Sequence, residues 1–136
     1  MGNQNKKFDI DSIYNFIKDS NDIDELYNVF QTTKNRDKEL FNSYVAKLKV
    51  LFSLSEEYEF LSTAALIFGK FKIHSSAHLI VSKLLSGKFD DCGGTFLYSL
   101  IPLRKKYFID ELRVLWSREI TWEMKQHLEI LNIPDE

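Results

Sequence analysis

Three acidic residues, Glu59, Asp91 and Glu123, stand 32 positions apart in a chain of 136 residues. Each is followed by an apolar residue (Phe60, Cys92, Met124) and, five positions after the acid, by a second (Ala64, Phe96, Leu128). Ahead of each comes a matching triplet of two apolar residues and serine: Leu51-Phe52-Ser53, Leu84-Leu85-Ser86 and Leu115-Trp116-Ser117. The repeating unit reads as a helix ending in that triplet, a short turn, and a second helix with an acid in its first turn. A unit of this length cannot bury its apolar stripe alone, so such units must stack.

The apolar spacing between these markers is helical almost throughout. Asp11 or Ser12 caps a first helix through Ile13, Phe16 and Ile17, and Asn21 or Asp22 a second. With Asp22 as cap, Glu25 falls where a capping box wants an acid. A third helix runs from about Asp37 to Phe52, and Ser55 opens a fourth through Phe68. The fifth spans about Ser75–Leu85, the sixth starts near Asp91 and stops before Pro102, the seventh covers about Phe108–Trp116, and the eighth about Ile120–Leu131, with Asn132 and Pro134 as stops. The fold class is therefore all-α: about eight helices in stacked antiparallel hairpins, forming one domain over residues 1–136. Helices within 8–35 cap the stack, and residues 37–132 make three pairs. Two prolines and five glycines leave little room for long loops.

The net charge of −2 lacks the excess of Lys and Arg that general nucleic-acid binding needs, and is too small for an acidic mimic of nucleic acid. One cysteine excludes an internal disulfide and a cysteine-framed metal site, and fits a reducing compartment. The polar start, Met1–Lys7, lacks the apolar stretch of a signal peptide, and Lys6 stands where a myristoylation signal wants Ser or Thr. The run Ala64–Phe68 is far too short to cross a bilayer. A cytoplasmic location is expected, with no membrane, nucleic acid or small-molecule substrate as partner.

Once the repeat is drawn, the stretch Asp90-Asp91-Cys92-Gly93-Gly94-Thr95-Phe96-Leu97-Tyr98-Ser99-Leu100 resembles the second-helix motif of HEAT-like immunity proteins. These accompany bacterial polymorphic and contact-dependent growth inhibition toxins. Trp122-Glu123-Met124-Lys125 looks like the acid-apolar-basic start of the next such helix. The likeness covers about residues 40 to 132. Gly93 departs from it, standing where HEAT helices commonly carry a basic residue. The resemblance implies a HEAT-like α-solenoid acting as an antitoxin: it binds a cognate toxin domain, such as a nuclease, covers its active site, and has no catalysis of its own. A HEAT-like structural adaptor is the alternative.

The chemistry-bearing residues support a binder over an enzyme. His74 and His78 are four apart, but Ser75 stands where a metalloprotease helix needs Glu, and no third ligand is evident. They read as a helix-end and a semi-buried histidine. Cys92 follows two aspartates that would raise a thiol pKa, and it shares the slot of Phe60 and Met124, so it reads as a small buried apolar residue. Gly93-Gly94 lacks the Lys and Ser or Thr of a phosphate loop, and suits close approach of a neighbouring helix. Arg104-Lys105-Lys106 reads as a solvated loop. No cofactor or metal is expected.

The expected partner-binding residues gather at the second-helix starts. Glu56, Glu57, Glu59, Asp90, Asp91, Glu119 and Glu123 suit the helix dipole there and would line one acidic ridge facing a basic cleft. Tyr58, Tyr98 and Trp122 would add the aromatic anchors. Ile120, Met124, Leu128 and Leu131 define the buried stripe of the last helix, and Trp122 lies nearly opposite its centre, so it is either covered by the C-terminal tail or open to a partner. Trp116 shares a stripe with Leu112 and Leu115 and is expected in the core.

Overall fold

A computed structural model describes residues 12–20, 22–89 and 92–131. Eight α-helices and two 3-10 turns order these residues, with no strand among them, so the chain is all-α. The helices are α1 Ile13–Asp19, α2 Ile23–Arg36, α3 Lys38–Leu54, α4 Tyr58–Lys70, α5 Ala77–Leu85, α6 Gly94–Leu100, α7 Ile109–Trp116 and α8 Trp122–Ile130. The 3-10 turns, His74–Ser76 and Lys105–Tyr107, precede α5 and α7. The chain divides into two compact units between residues 64 and 65, inside α4. The expected caps at Asp11 and Asn21 and the stops at Asn132 and Pro134 lie outside the described residues.

In the first unit α3 packs against α1 and α2. Local chemistry sets the ends of these helices. The Asp22 carboxylate accepts from the backbone N–H groups of Asp24 and Glu25, satisfying two of the donors that every helix start leaves open. Asp37 serves two helices at once. Its N–H donates to the Thr33 carbonyl at the end of α2, and its carboxylate accepts from Leu40 N–H at 3.0 Å at the start of α3. Beneath the helices lie Ile13, Ile17, Leu26, Phe30, Tyr44, Leu48, Phe52 and Phe60, all buried. Phe30 meets Tyr44 edge-on with ring centroids 6.0 Å apart, an arrangement the ring quadrupoles favour.

In the second unit α5 packs against both α6 and α7, and α6 against α8. Several close approaches join residues 30 to 33 positions apart, the period of the acidic markers. A Cβ built on Gly69 would fall 2.5 Å from the Ser99 carbonyl oxygen, so α4 and α6 meet backbone to backbone where only glycine fits. A Cβ on Gly93 would fall 2.9 Å from Leu84 Cδ2 and 3.0 Å from Met124 Cε. The Arg118 guanidinium donates to the Leu85 carbonyl at 3.1 Å, satisfying an acceptor at the end of α5. The N–H of Arg104 donates to His74 Nδ1 at 3.2 Å.

The serine of each repeat triplet has a physical role. Ser53 Oγ donates to the Lys49 carbonyl, Ser86 Oγ to Lys83 and Ser117 Oγ to Val114, each in the last turn of its helix. These bonds add to the backbone ladder, since the Lys83 and Val114 carbonyls also accept from the Ser86 and Ser117 N–H groups.

Two expectations about burial fail, each for a local reason. Cys92 is exposed rather than buried, because α6 begins only at Gly94 and leaves Cys92 in the preceding turn. The buried residue facing Leu84 and Met124 is Gly93, one position later. Trp116 is half-buried, with the Lys125 ammonium 5.0 Å from its ring centroid, while Leu112 and Leu115 are fully buried. His78 is exposed on α5, and His74 stands in the 3-10 turn before it, half-buried.

Candidate protein-binding surface

The expected binding residues fall at the starts of α4, α6 and α8. Of these, Asp90 and Asp91 lie outside the described residues. The other two starts are built differently.

Before α4 the chain turns through Ser55, whose Oγ accepts from Glu57 N–H at 3.1 Å. Glu56, Glu57 and Glu59 are exposed and Tyr58 is half-buried. Glu57 is held from within the unit. Its Oε1 accepts from the Tyr14 hydroxyl at 2.8 Å and from Lys18 Nζ at 2.9 Å. The Lys18 ammonium, with the Tyr14 hydroxyl second, holds the Glu57 carboxyl below the ordinary carboxylate range. In return the bond to Glu57 raises Lys18 above its ordinary value. The Tyr14 ring also packs on Phe60 at 4.4 Å between centroids, which fixes the hydroxyl over the turn. Tyr14, Leu51, Leu54, Ser55, Glu56 and Glu57 line a shallow open groove here, and Leu54 is 76% exposed at its rim.

Before α8 the Thr121 hydroxyl accepts from Met124 N–H at 3.2 Å and caps the helix. Trp122, the first helical residue, lies off the buried stripe and is 71% exposed. Met124 and Leu128 on that stripe are buried. Glu119 and Glu123 are exposed on either side of Trp122 in sequence. Among the described residues, no carboxylate contact to a cation is formed by either.

Tyr98 on α6 is 60% exposed, and Ile130 on α8, 32 positions later, is 63% exposed. Tyr14 and Lys18, which neutralise Glu57, carry no signal in the sequence. They sit about 40 residues from their partner, in a segment without repeat markers.

The His74 nitrogen that would meet a metal on the Arg104 side already accepts a hydrogen bond. Among the described residues, no three of His, Cys, Asp and Glu gather closely enough to hold a metal ion, and no helix is long and apolar enough to cross a membrane. No known protein family, curated protein or solved structure matches this chain.

Proposed function

We propose that the chain is a binding protein without catalysis, an immunity protein of the HEAT-like kind that neutralises a cognate bacterial toxin domain by covering its active site. The observation that carries this reading is Trp122, 71% exposed at the start of α8 between the exposed acids Glu119 and Glu123. An exposed Trp amid like charges is costly in isolation and useful in an interface. Tryptophan is enriched among binding hot spots, and flanking charges of one sign speed encounter with a partner of the other. The close approaches 30 to 33 residues apart in the second unit support stacked hairpins as the scaffold. A stack of this kind presents a preformed surface and so loses little conformational entropy on binding.

The test is co-expression with the variable C-terminal domain of a large secreted protein encoded beside this chain. Growth should be restored, and the two proteins should purify as a stoichiometric complex. Continued toxicity with both proteins soluble would overturn the reading. A structural adaptor is the second reading, favoured by Tyr98 and Ile130, exposed at equivalent repeat positions. It predicts a complex whose formation leaves the toxin domain active.

A further inference from the structure

The charges of the second unit are segregated. From Phe60 to Phe89 and from Cys92 to Ile109 the chain contains no Asp or Glu. The end of α4 and the turn after it carry Lys70 and Lys72, and the segment after α6 carries Arg104, Lys105 and Lys106. The fold joins them. Arg104 N–H donates to His74 Nδ1 at 3.2 Å, and the His74 and Tyr107 rings stack with centroids 6.3 Å apart and 24° between planes. Lys72 is fixed in the left-handed region, at φ 55°, in the tight turn after α4. Lys70, Lys72, Arg104 and Lys106 are exposed. Among them stand apolar surfaces, Ile101, Pro102 and Tyr107, which are exposed as well. The acids nearest in sequence are Asp110 and Glu111, and Asp110 is engaged by Arg113 at 2.8 Å.

We infer that this basic edge docks an acidic protein surface, one in which carboxylates surround an apolar side chain. It is a second face, opposite in charge to the helix starts discussed above and independent of the toxin-binding reading. Charge complementarity identifies the partner. Five cations in two linked segments raise a local positive potential that attracts carboxylates, although the whole chain is weakly acidic. The aromatic geometry favours protein over a single nucleic-acid strand. Strand binders offer open ring faces on which bases stack. Here the Tyr107 ring is stacked on His74, and the Lys106 ammonium lies 5.4 Å from its centroid. What remains open is the apolar rim of Ile101, Pro102 and the Tyr107 edge, which suits a Leu or Phe of a protein partner. His74 sets the geometry: only with Nδ1 unprotonated can it accept from Arg104 and hold the loops together.

The experiment uses the full chain, isotope-labelled for NMR, titrated with a short peptide of Asp and Glu around a central Leu and Phe. Shift changes should be saturable and confined to residues 70–74 and 101–107. The affinity should fall about tenfold or more when ionic strength is raised to about 0.15 M, where charges beyond ~8 Å are screened. The double variant Lys72→Glu with Lys106→Glu should lose binding with an unchanged thermal midpoint, because both side chains are exposed. Arg104→Glu gives an independent reversal should the turn at Lys72 prove sensitive. His74→Ala should weaken binding several-fold with every cation intact, an effect a purely diffuse charge attraction would not show. Non-saturable binding, or shifts centred elsewhere, overturns the proposal. So does displacement of the peptide from the same residues by a single-stranded oligonucleotide of equal charge, which would make this a nucleic-acid face.

Discussion

The start of α4 and the start of α8 carry the same sequence markers, with Glu59 and Glu123 two 32-residue periods apart, yet their acids are treated in opposite ways. At α4 the most constrained carboxylate, Glu57, is consumed within the unit by Lys18 and Tyr14. At α8 the acids Glu119 and Glu123 remain open beside an exposed Trp122. Equivalent helix starts can thus keep their local chemistry while a carboxylate is paired in one place and exposed in another. An acid at a helix N-terminus already has a local reason to exist, worth about 0.3–1 kcal/mol through the dipole. The acid alone is therefore no sign of a binding site.

The largest effect tests whether the repeat is a packing unit at both starts. Phe60 and Met124 follow the two acids and are fully buried. Phe60→Ala should cost about 3–5 kcal/mol and Met124→Ala about 2–5, read by denaturant unfolding. Cys92→Ala, in the same slot of the middle repeat but exposed, should stay within about 0.5 kcal/mol. A large loss at Cys92 would mean that its repeat register is that of Phe60 after all.

The contrast itself is broken or sharpened by binding measurements. With the cognate toxin domain in hand, Trp122→Ala should weaken the complex by about 2 kcal/mol or more and leave the thermal midpoint unchanged. Glu57→Gln should hardly alter affinity, because that carboxylate is already paired. Equal losses at the two positions would remove the distinction drawn between the helix starts.

Next in size is the cap of α8. Thr121→Ala removes the acceptor for Met124 N–H and should destabilise the protein by about 1 kcal/mol. If Trp122 owes its position to that capped turn, binding should fall in the same variant by more than stability does. A loss in stability alone would show that Trp122 reaches its place without the cap.

The helices were legible because apolar spacing and end chemistry agreed. Asp22 caps α2 as its side-chain type and the acid at Glu25 suggested, and Ser55 turns the chain into α4. Angular position put Trp122 off the buried stripe, with cover by the C-terminal tail or access for a partner as the two outcomes, and the side chain is exposed. Cys92 was misplaced because the repeat was aligned on acids, while the two glycines delay the start of α6 to Gly94 and move the inward position to Gly93. Trp116 was misjudged because Lys125, nine residues on, shares the covering of its ring with solvent. The pairing of Glu57 was illegible for a different reason: contact between residues about 40 apart depends on how α1 lies against α3, which no local pattern encodes.

The smallest effect bears on the α4 side of the comparison and is one of direction. Glu57 titrates below the ordinary carboxylate range because its charged form is bonded by Lys18 and Tyr14. A carboxyl lowered on folding contributes stability that is present above the unfolded value and is lost as pH falls through the folded one. Lys18 is raised, so its share is present below the ordinary lysine value and disappears as pH rises through the folded one. Both contributions are complete at neutral pH, and both are small, because the pair is open to solvent and to salt. In an NMR titration Lys18→Met should move the Glu57 midpoint upward, and Tyr14→Phe should move it upward by less, in the order of the two bonds. Added salt should narrow the gap between the parent and Lys18→Met. If Lys18→Met leaves the midpoint where it is, the ion pair is not populated in solution. Glu57 would then join Glu59 as exposed charge, and the two helix starts would differ chiefly in their aromatic residue.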